Sequence, residues 1–505
     1  MGRTSRLAGV VETVVGILRP GESTLERTVT SGVWLSLLTV TDRVVRLGLY
    51  LVLARLLAPA EFGLLGLGMV ALTVLRRVSR LGLDEALIQR EDDDVDAYLD
   101  TTWTLTVGRG LALAAVASLA APLVAEFFAE PRLTGVVRAL GVVPLLDGLR
   151  NPGVVYFRKR LAFHRQFVYV VSGTVAYACT ALAAAVVLGN VWALVVGAVA
   201  GPAVRTLVSH RIHGYRPGLG FDTDAARELL GFGKWIFGSG VVLLALNQGD
   251  DALVGWLLGS SAVGLYGMAF RLSNAPATEV SHVVSEVTFP AFSQVRDDAA
   301  ELRAGFFRTV RVVAALALPM AVGIAAVAPV FVRAVLGPAW TPMIHAMRVL
   351  AVWGAFRALV AAVGPLFKAV GHPEYSTLLQ VSRLVVVAVL IYPATTAWGI
   401  TGTAAVLVAS AVLQNPIAFA VALRAVDARP RRLLRALSAP CLAAALMGTV
   451  VLLANAALSP LPGLARLCCL IIIGVATYAS AIGAATRVWG TGLADDVAVL
   501  RRSLV

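Results

Sequence analysis

Three charged side chains lie close together inside an apolar stretch near the start of the chain. The segment TVTDRVVRLGLY, residues 39–50, contains Asp42, Arg43 and Arg46. In a helix, Asp42 and Arg46 share one face and can pair with each other, whereas Arg43 points in a different direction. Arginine is permanently charged and its fork of donors matches phosphate geometry, so Arg43 and Arg46 are the leading candidates for binding an anion. The alternative is that they form buried ion pairs that tie helices together.

Two other arginines in apolar segments are further candidates for the same role. Arg271, in GMAFRLSNAP, precedes Pro276, a residue that should bend or weaken its helix. Arg109, in TVGRG, has a glycine on each side, which permits a close backbone approach. A packing role or a contact with a carbonyl of another helix is therefore an alternative to ligand binding at Arg109.

Side chains of the opposite sign follow in the stretch LNQGDDALVG, residues 246–255. Asp250 and Asp251 are adjacent carboxylates, which repel each other, so one of them should keep a proton easily or hold a cation. Together with Asn247 they are candidates for binding a coupling ion, H+ or Na+. The alternative is that both carboxylates lie at a water interface, where charge costs little.

A third polar set follows at helical spacing. Glu279, His282 and Glu286 are three and four residues apart and so share one face of a helix. Glu279 and Glu286 are further ion-coupling candidates, either in a proton relay or in the wall of a wet cavity. No second His or Cys cluster completes a coordination sphere, so we predict neither a metal site nor a catalytic one.

The elements that carry these residues are apolar helices. Hydrophobic residues make up 58% of the 505 residues and charged ones 14%, with a mean hydropathy of +0.81, whereas a soluble domain carries about 25% charged residues. Runs near the roughly 20 residues that cross a bilayer recur from residue 31 to 487. We predict an all-α polytopic membrane protein with about fourteen transmembrane helices, at 31–57, 62–83, 101–125, 133–150, 167–188, 191–210, 234–258, 262–292, 309–335, 343–367, 375–396, 399–423, 436–457 and 464–486. The four cysteines lie in apolar segments without disulfide or metal spacing.

The basic residues are distributed unevenly between the predicted loops. Most of the 43 Lys and Arg residues fall in the tails and in loops on the same side, including RKRLAFHR at 158–165 and RPRRLLR at 429–435. The opposite loops hold Arg55, Arg132, Arg333 and Arg466. This asymmetry predicts that both termini are cytoplasmic. It also accounts for the net charge of +13 without nucleic acid as a partner.

One stretch of the chain occurs twice. LLAPAEFGLLG at 56–66 returns as LLGSSAVGLYG at 257–267, and the same offset aligns Trp34 with Trp235. Parallel repeats with a binding site between them are a recurrent transporter design, although glycine and leucine can also coincide by chance in apolar sequence. We predict a cytoplasmic segment (1–30), a six-helix bundle (31–212), a cytoplasmic linker (213–233), a second six-helix bundle (234–425), two additional helices (426–487) and a cytoplasmic tail (488–505). Gly63 and Gly264 should lie at matching tight connections.

The order of several short motifs resembles a known family. ARLLAPAEFGLLG, LGLDEALIQRED, LDTTWTLTVGRG, NPGVVYFRKRLAFHRQF, FGKWIFGSG and FPAFSQVRDD are similar to the oligosaccharide flippase (polysaccharide transporter) family of the multidrug/oligosaccharidyl-lipid/polysaccharide exporter superfamily. The resemblance implies a V-shaped pair of six-helix bundles. It also implies flipping of lipid-linked oligosaccharide, on a polyprenyl phosphate or pyrophosphate carrier, from the cytoplasmic leaflet to the outer one. No cofactor is implied, and a polysaccharide polymerase or glycosyltransferases are candidate partners besides membrane lipids.

Other functional classes compete with this interpretation. Asp94 and Asp96 in EDDDVDAY have the spacing of a glycosyltransferase metal pair, but a solvated acidic loop is the simpler interpretation. The predicted outer loops leave no room for an external catalytic domain, which favours a transporter over an enzyme. A cation-coupled multidrug antiporter of the same superfamily would share the architecture, and acidic and aromatic residues would be expected in its cavity. The arginines favour an anionic substrate.

Overall fold

Helices build every described element of the first half of the chain. The computed structural model describes the backbone over 24–79 and 96–489, and the side chains there except those at 24–29, 78, 96–97, 224–247, 276, 279, 282–283, 285–287, 486 and 488–489. The chain folds into two compact units, 1–249 and 250–505. The first unit contains α1 (Thr24–Leu56), α2 (Pro59–Val78), α3 (Asp96–Phe127), α4 (Leu133–Leu140), α5 (Val142–Gly148), a 3-10 turn (Pro152–Val154), α6 (Val155–Lys159), α7 (Phe163–Leu188) and α8 (Val191–Ile212).

A long interrupted helix leads into the second unit. This helix is α9 (Thr223–Gln294), and it is followed by α10 (Ala299–Phe331), a π-helical turn (Val332–Leu336), a 3-10 segment (Pro338–Met343), α11 (Ile344–Leu359), a further 3-10 turn (Val360–Ala362) and α12 (Val363–Ala369). The remaining helices are α13 (Glu374–Ala425), α14 (Pro430–Ala457) and α15 (Gly463–Trp489).

The predicted helical, membrane-spanning fold is confirmed. Ten segments of the described chain are long and apolar enough to cross a membrane, and one of them, Glu374–Ala425, contains two of the predicted spans. Large apolar side chains such as Leu119 and Val187 are 79% and 80% exposed on the protein surface, as expected for contact with lipid. The division into two six-helix bundles stays a prediction.

Glycines mark the points at which two of the longest helices change direction. Gly259 in α9 has φ 82° and ψ −179°, and Gly399 in α13 has φ 58° and ψ −144°. A positive φ is cheap only for glycine, so each of these residues can separate two spans within one nearly continuous helix. Both breaks fall where the sequence predicts that one helix ends and the next begins.

The repeated stretch has the same local role in both units. In the first copy Ala58, in an extended conformation, separates α1 from α2. In the second copy Gly259 occupies the aligned position and breaks α9. Gly63 and Gly264 are buried within the helices that follow, about one turn after the connections. The prediction that these two glycines lie at the connections is therefore wrong.

Some helix ends differ from the prediction for identifiable reasons. The predicted helix 133–150 is divided at Gly141, and Pro144 cannot donate the backbone hydrogen bond that would continue it. Helix α10 begins at Ala299, ten residues earlier than predicted, because the Asp298 side chain accepts hydrogen bonds from the backbone N–H groups of Ala300 (2.8 Å) and Glu301 (3.0 Å).

The two helices predicted beyond the repeat are packed into the second unit. Met447 and Val451 of α14 and Leu470 of α15 form one buried apolar cluster with Ala326 and Val330 of α10. Gly448 allows this close approach, since a Cβ there would lie 2.6 Å from the Val322 side chain. These helices therefore stabilise α10 from one side.

Candidate functional site

The charged residues of α1 form a compact cluster with α7. The Arg46 Nε donates to both carboxylate oxygens of Asp42, at 3.0 and 2.9 Å. The Thr174 hydroxyl donates a short hydrogen bond to the same carboxylate, and the Arg46 guanidinium lies 6.0 Å from the centre of the Tyr177 ring. The local pair that the sequence allowed is thus present, and it links two helices. Arg43 is half-buried on the same helix.

Arg109 makes the carbonyl contact that the sequence left open. Its Nε donates to the Ser79 hydroxyl (3.2 Å) and its Nη2 to the backbone carbonyl of Arg76 (3.2 Å), both at the end of α2. The same side chain also lines a cavity within the first unit. A structural contact and a place in the cavity wall are therefore combined in one residue.

This cavity, which we call the arginine cavity, has a volume of about 400 Å³. Its wall comes from α2, α3, α5, α6, α7, α8 and the residues around Asn151. Among the described residues, five arginines and one carboxylate line it, a formal balance of +4: Arg76, Arg109, Arg150, Arg158, Arg205 and Asp147. A concentration of guanidinium groups in a partly enclosed space is a site for a multiply charged anion.

Asp147 restrains two of these cations from different helices. Its Oδ2 accepts from Arg76 Nη2 at 2.8 Å, and its Oδ1 lies 3.8 Å from Arg205 Nη2. These two partners come from α2 and α8. Arg205 is also close enough to Asp42 to stabilise that carboxylate electrostatically. The arginine cavity and the α1 cluster are therefore connected through Arg205.

Glycines set the distances between the helices of the arginine cavity. A Cβ on Gly110 would lie 2.7 Å from the Pro144 carbonyl oxygen, and one on Gly148 would lie 2.4 Å from the Thr106 carbonyl oxygen. These two positions bring the backbones of α3 and α5 into contact, as small residues do in membrane helices. Gly173 makes room for the Arg205 side chain, whose Cγ would lie 2.3 Å from an added Cβ.

Sequence reasoning missed four of the five arginines in the arginine cavity. Arg76, Arg150, Arg158 and Arg205 lie at helix ends or in the loops that were counted as cytoplasmic charge. Their role depends on four separate segments meeting in space, which residue spacing cannot reveal. The one available signal was the NPGVVYFRKR motif, which places Arg158 eight residues after Arg150.

The predicted acidic residues of the second unit are partly buried. Asp250 Oδ2 accepts a hydrogen bond of 2.7 Å from the Tyr266 hydroxyl, and Tyr266 is fully buried. Arg271, an exposed residue, is close enough to Asp251 for their charges to attract. Arg271 therefore lies near one carboxylate of this pair. The sequence had not suggested this proximity.

The remaining ion-coupling candidates cannot be placed in the same way. The side chains of Asn247, Glu279 and Glu286, and that of His282 between the two glutamates, lie outside the described residues. Asn247, Glu279 and Glu286 stay predictions from the sequence.

Comparison with known proteins identifies relatives along most of the chain. Residues 52–345 match the family described as "Polysaccharide biosynthesis protein". The Escherichia coli (strain K12) lipopolysaccharide biosynthesis protein WzxC is 26% identical over 70% of this chain and 72% of its own length. The Rhizobium meliloti (strain 1021) succinoglycan biosynthesis transport protein ExoT is 24% identical over 64% of this chain and 65% of its own.

Solved structures match the fold over a still larger share. The lipid II flippase MurJ, in an inward closed conformation, superimposes on this chain with a TM-score of 0.71 at 14% identity. The superposition covers 90% of this chain and 98% of the MurJ chain. An inward-facing MATE multidrug resistance transporter gives a TM-score of 0.58 at 15% identity, over 76% of this chain and 94% of its own. Helices, spans and sequence matches agree: the chain is a multi-pass membrane protein of the polysaccharide biosynthesis protein family.

Proposed function

We propose that this protein is a flippase that translocates lipid-linked oligosaccharide or polysaccharide repeat units across the cytoplasmic membrane by alternating access. Both termini would then be cytoplasmic, as the distribution of basic residues predicts. The family match supports this proposal. So do the names of two similar proteins, one of which is called a transport protein and the other a flippase. The protein would act as a transporter without covalent chemistry.

The observation that carries the proposal is the arginine cavity. A lipid carrier linked through phosphate or pyrophosphate brings a dense negative charge that must lose water to enter a membrane protein. Two unit charges 4 Å apart attract by about 1 kcal/mol in water but about 4 kcal/mol at an effective dielectric constant of 20. Several guanidinium groups at such distances can replace the lost hydration.

The carboxylate in the arginine cavity suggests how a substrate would be admitted. Asp147 pairs with Arg76 and Arg205. An incoming phosphate can compete for the same donors, since each guanidinium has five N–H groups. Because the predicted cytoplasmic loops supply Arg150 and Arg158, the arginine cavity would load from the cytoplasmic side, while the lipid chains stay in the bilayer.

The other predicted residues have proposed roles along the same route. Arg43 and Arg46 would bind the head group beside the arginine cavity. Until the head group binds, Asp42 would hold Arg46 in place. Arg271 would contact the substrate in the second unit. Asp250 and Asp251 would bind the coupling ion, H+ or Na+. A polymerase or glycosyltransferases would act before or after this step in cell-envelope assembly.

The multidrug antiporter alternative fits this cavity poorly. A site for cationic drugs needs carboxylates and accessible aromatic faces. The described lining of the arginine cavity has a surplus of guanidinium groups, and the one carboxylate in that lining is paired with two of them. The charge of the arginine cavity therefore favours an anionic substrate.

A reconstituted flipping assay tests the proposal. Purified protein is placed in liposomes with a lipid-linked oligosaccharide, and a membrane-impermeant sugar-modifying reagent measures the outer-leaflet fraction over time. Arg109→Gln and Arg205→Gln should each slow flipping at least about tenfold, because each removes a charge that faces the substrate. Arg138→Gln is the matched control, since Arg138 lies outside the arginine cavity and contacts the Ser118 carbonyl. Equal rates for all three variants would contradict the proposed binding site.

A further inference from the structure

A second polar cavity, confined to the second unit, has no role in the function proposed so far. We call it the Trp353 pocket; its volume is about 680 Å³. Its wall comes from α11, α12 and α13, with Phe289 of α9 at one side. This volume lies within the range of small-molecule sites.

Two arginines lie close to a single indole ring in this pocket. The guanidinium carbons of Arg357 and Arg383 lie 5.1 and 5.3 Å from the centre of the Trp353 ring. Trp353 is only 4% exposed, so the ring orients the two guanidinium groups and offers little surface of its own. The two positive charges repel each other. Keeping two like charges close together costs electrostatic free energy, and an anion bound between them would offset this cost.

The charge balance of the pocket is positive. Lys368 is a third cation in its wall, and none of the described residues that line it is acidic. Asp250, outside the wall, is close enough to attract Arg383 electrostatically. Arg357 donates a short hydrogen bond to the neutral hydroxyl of Thr278. The described lining therefore holds three cations and no carboxylate, a balance that favours an anionic ligand.

Two polar atoms in the wall of the pocket are buried. Arg383 Nε and Ser376 Oγ make no hydrogen bond within the part of the chain that the structure describes. Buried donors are nearly always satisfied in native proteins, so an unmet donor of this kind points to a missing partner. Both residues line the same pocket, which makes a bound ligand the economical explanation.

The remaining polar side chains suit a sugar. Gln380, Gln414 and Asn415 bring amide groups to the pocket. The NH₂ group of Gln414 donates to Ser382 (3.3 Å) and that of Asn415 to the Phe356 carbonyl (3.0 Å), which leaves their carbonyl oxygens as acceptors. Such oxygens accept hydrogen bonds from hydroxyl groups. Guanidinium groups for an anion and amides for hydroxyls are thus present together.

We propose that the Trp353 pocket binds an acidic saccharide, that is, a sugar unit carrying carboxylate or phosphate. This inference rests on the proposed function and adds a recognition site for the sugar part of the cargo, in the second unit. Arg357 and Arg383 hold the acidic group, and the amides and Ser376 contact neighbouring hydroxyls. The protein then favours repeat units that contain an acidic sugar over neutral ones.

Direct binding tests this inference. Full-length protein in lipid nanodiscs is titrated with tetragalacturonate, with the neutral maltotetraose and with inorganic pyrophosphate, and binding is followed by saturation-transfer NMR and calorimetry. We expect tetragalacturonate to bind and maltotetraose to bind at least about tenfold more weakly. Arg383→Gln should weaken tetragalacturonate binding about tenfold or more.

Matched variants separate this site from other cationic sites. Arg303→Gln removes an arginine of the same unit whose Nε donates to the Val426 carbonyl, outside the pocket, and should leave tetragalacturonate binding unchanged. Arg109→Gln should weaken pyrophosphate binding at the arginine cavity and should weaken tetragalacturonate binding less than Arg383→Gln does. Thermal unfolding of each variant checks that a loss of binding is not a loss of fold.

The outcomes distinguish this inference from the proposed function. Equal binding of the neutral and acidic saccharides, or insensitivity of binding to Arg383→Gln, would overturn the sugar site even if flipping is normal. Binding of pyrophosphate alone at the pocket would also overturn it, in favour of a phosphate or lipid head-group site. Tetragalacturonate binding that needs Arg383, in a protein that flips no lipid-linked sugar, would support the site and contradict the flippase proposal.

Discussion

Two glycines on either side of Arg109 provide a matched test of how the arginine cavity is built. Gly110 is buried against α5, and an added Cβ would lie 2.7 Å from the Pro144 carbonyl oxygen and 2.9 Å from the α-carbon of Leu145. Gly108 is exposed, and an added Cβ there would meet nothing within 4 Å. Alanine at either position leaves the Arg109 side chain itself unchanged.

The size of the effect follows from these distances. Ordinary contact begins near 3.4 Å, so Gly110→Ala must separate α3 from α5 by roughly 0.5 to 0.7 Å in an interior that is close-packed. The atoms in the way are backbone, which cannot rotate aside, and overpacking of this kind costs about 1–3 kcal/mol. Gly108→Ala meets no such obstacle and gains up to about 1 kcal/mol from helix propensity.

Thermal unfolding and flipping are the two assays. Gly110→Ala should lower the Tm in detergent by at least about 2 °C, on the scale of roughly 2–4 °C per kcal/mol for a unit of this size. It should also slow flipping, because α5 carries Asp147 and α3 carries Arg109. Gly108→Ala should match or exceed the wild-type Tm and flip normally. The same Tm and rate for both variants would refute the argument that contact between α3 and α5 positions the arginine cavity.

Two further predictions concern the charged residues first found in the sequence. The double variant Arg43→Ala, Arg46→Ala should fold and insert but flip lipid-linked oligosaccharide at least about tenfold more slowly, because it removes two cations beside the arginine cavity. Normal export by a correctly folded double variant would remove these residues from the binding site. In proteoliposomes, Asp250→Asn and Asp251→Asn should each abolish the response of flipping to an imposed H+ or Na+ gradient. A full response in both variants would end the ion-coupling proposal.

The helical fold could be predicted closely because the bilayer imposes a simple rule. Apolar runs of membrane length identified the spans, and the breaks at Gly259 and Gly399 occur where the sequence predicts two helices to meet. The helix ends were less predictable. The Asp298 cap extends α10 by ten residues, and such a cap depends on one side chain rather than on periodicity.

The candidate site was predictable only where it is local. The pairing of Asp42 with Arg46 follows from a spacing of four residues, and the structure contains it. The arginine cavity does not follow from any spacing, because Arg76, Arg150 and Arg205 come from segments that are far apart in the chain. In the sequence these arginines had the same appearance as ordinary cytoplasmic charge, and the tertiary fold alone brings them to one cavity.

The leaflet in which lipid-linked oligosaccharide accumulates when the protein is depleted tests the central claim most directly. A membrane-impermeant sugar-modifying reagent, applied to intact cells and to opened ones, measures the fraction on each face. We predict accumulation on the cytoplasmic face, restored to wild-type sidedness by the native protein and not by Arg205→Gln. Unchanged sidedness together with altered drug efflux would contradict the flippase account and favour the multidrug antiporter.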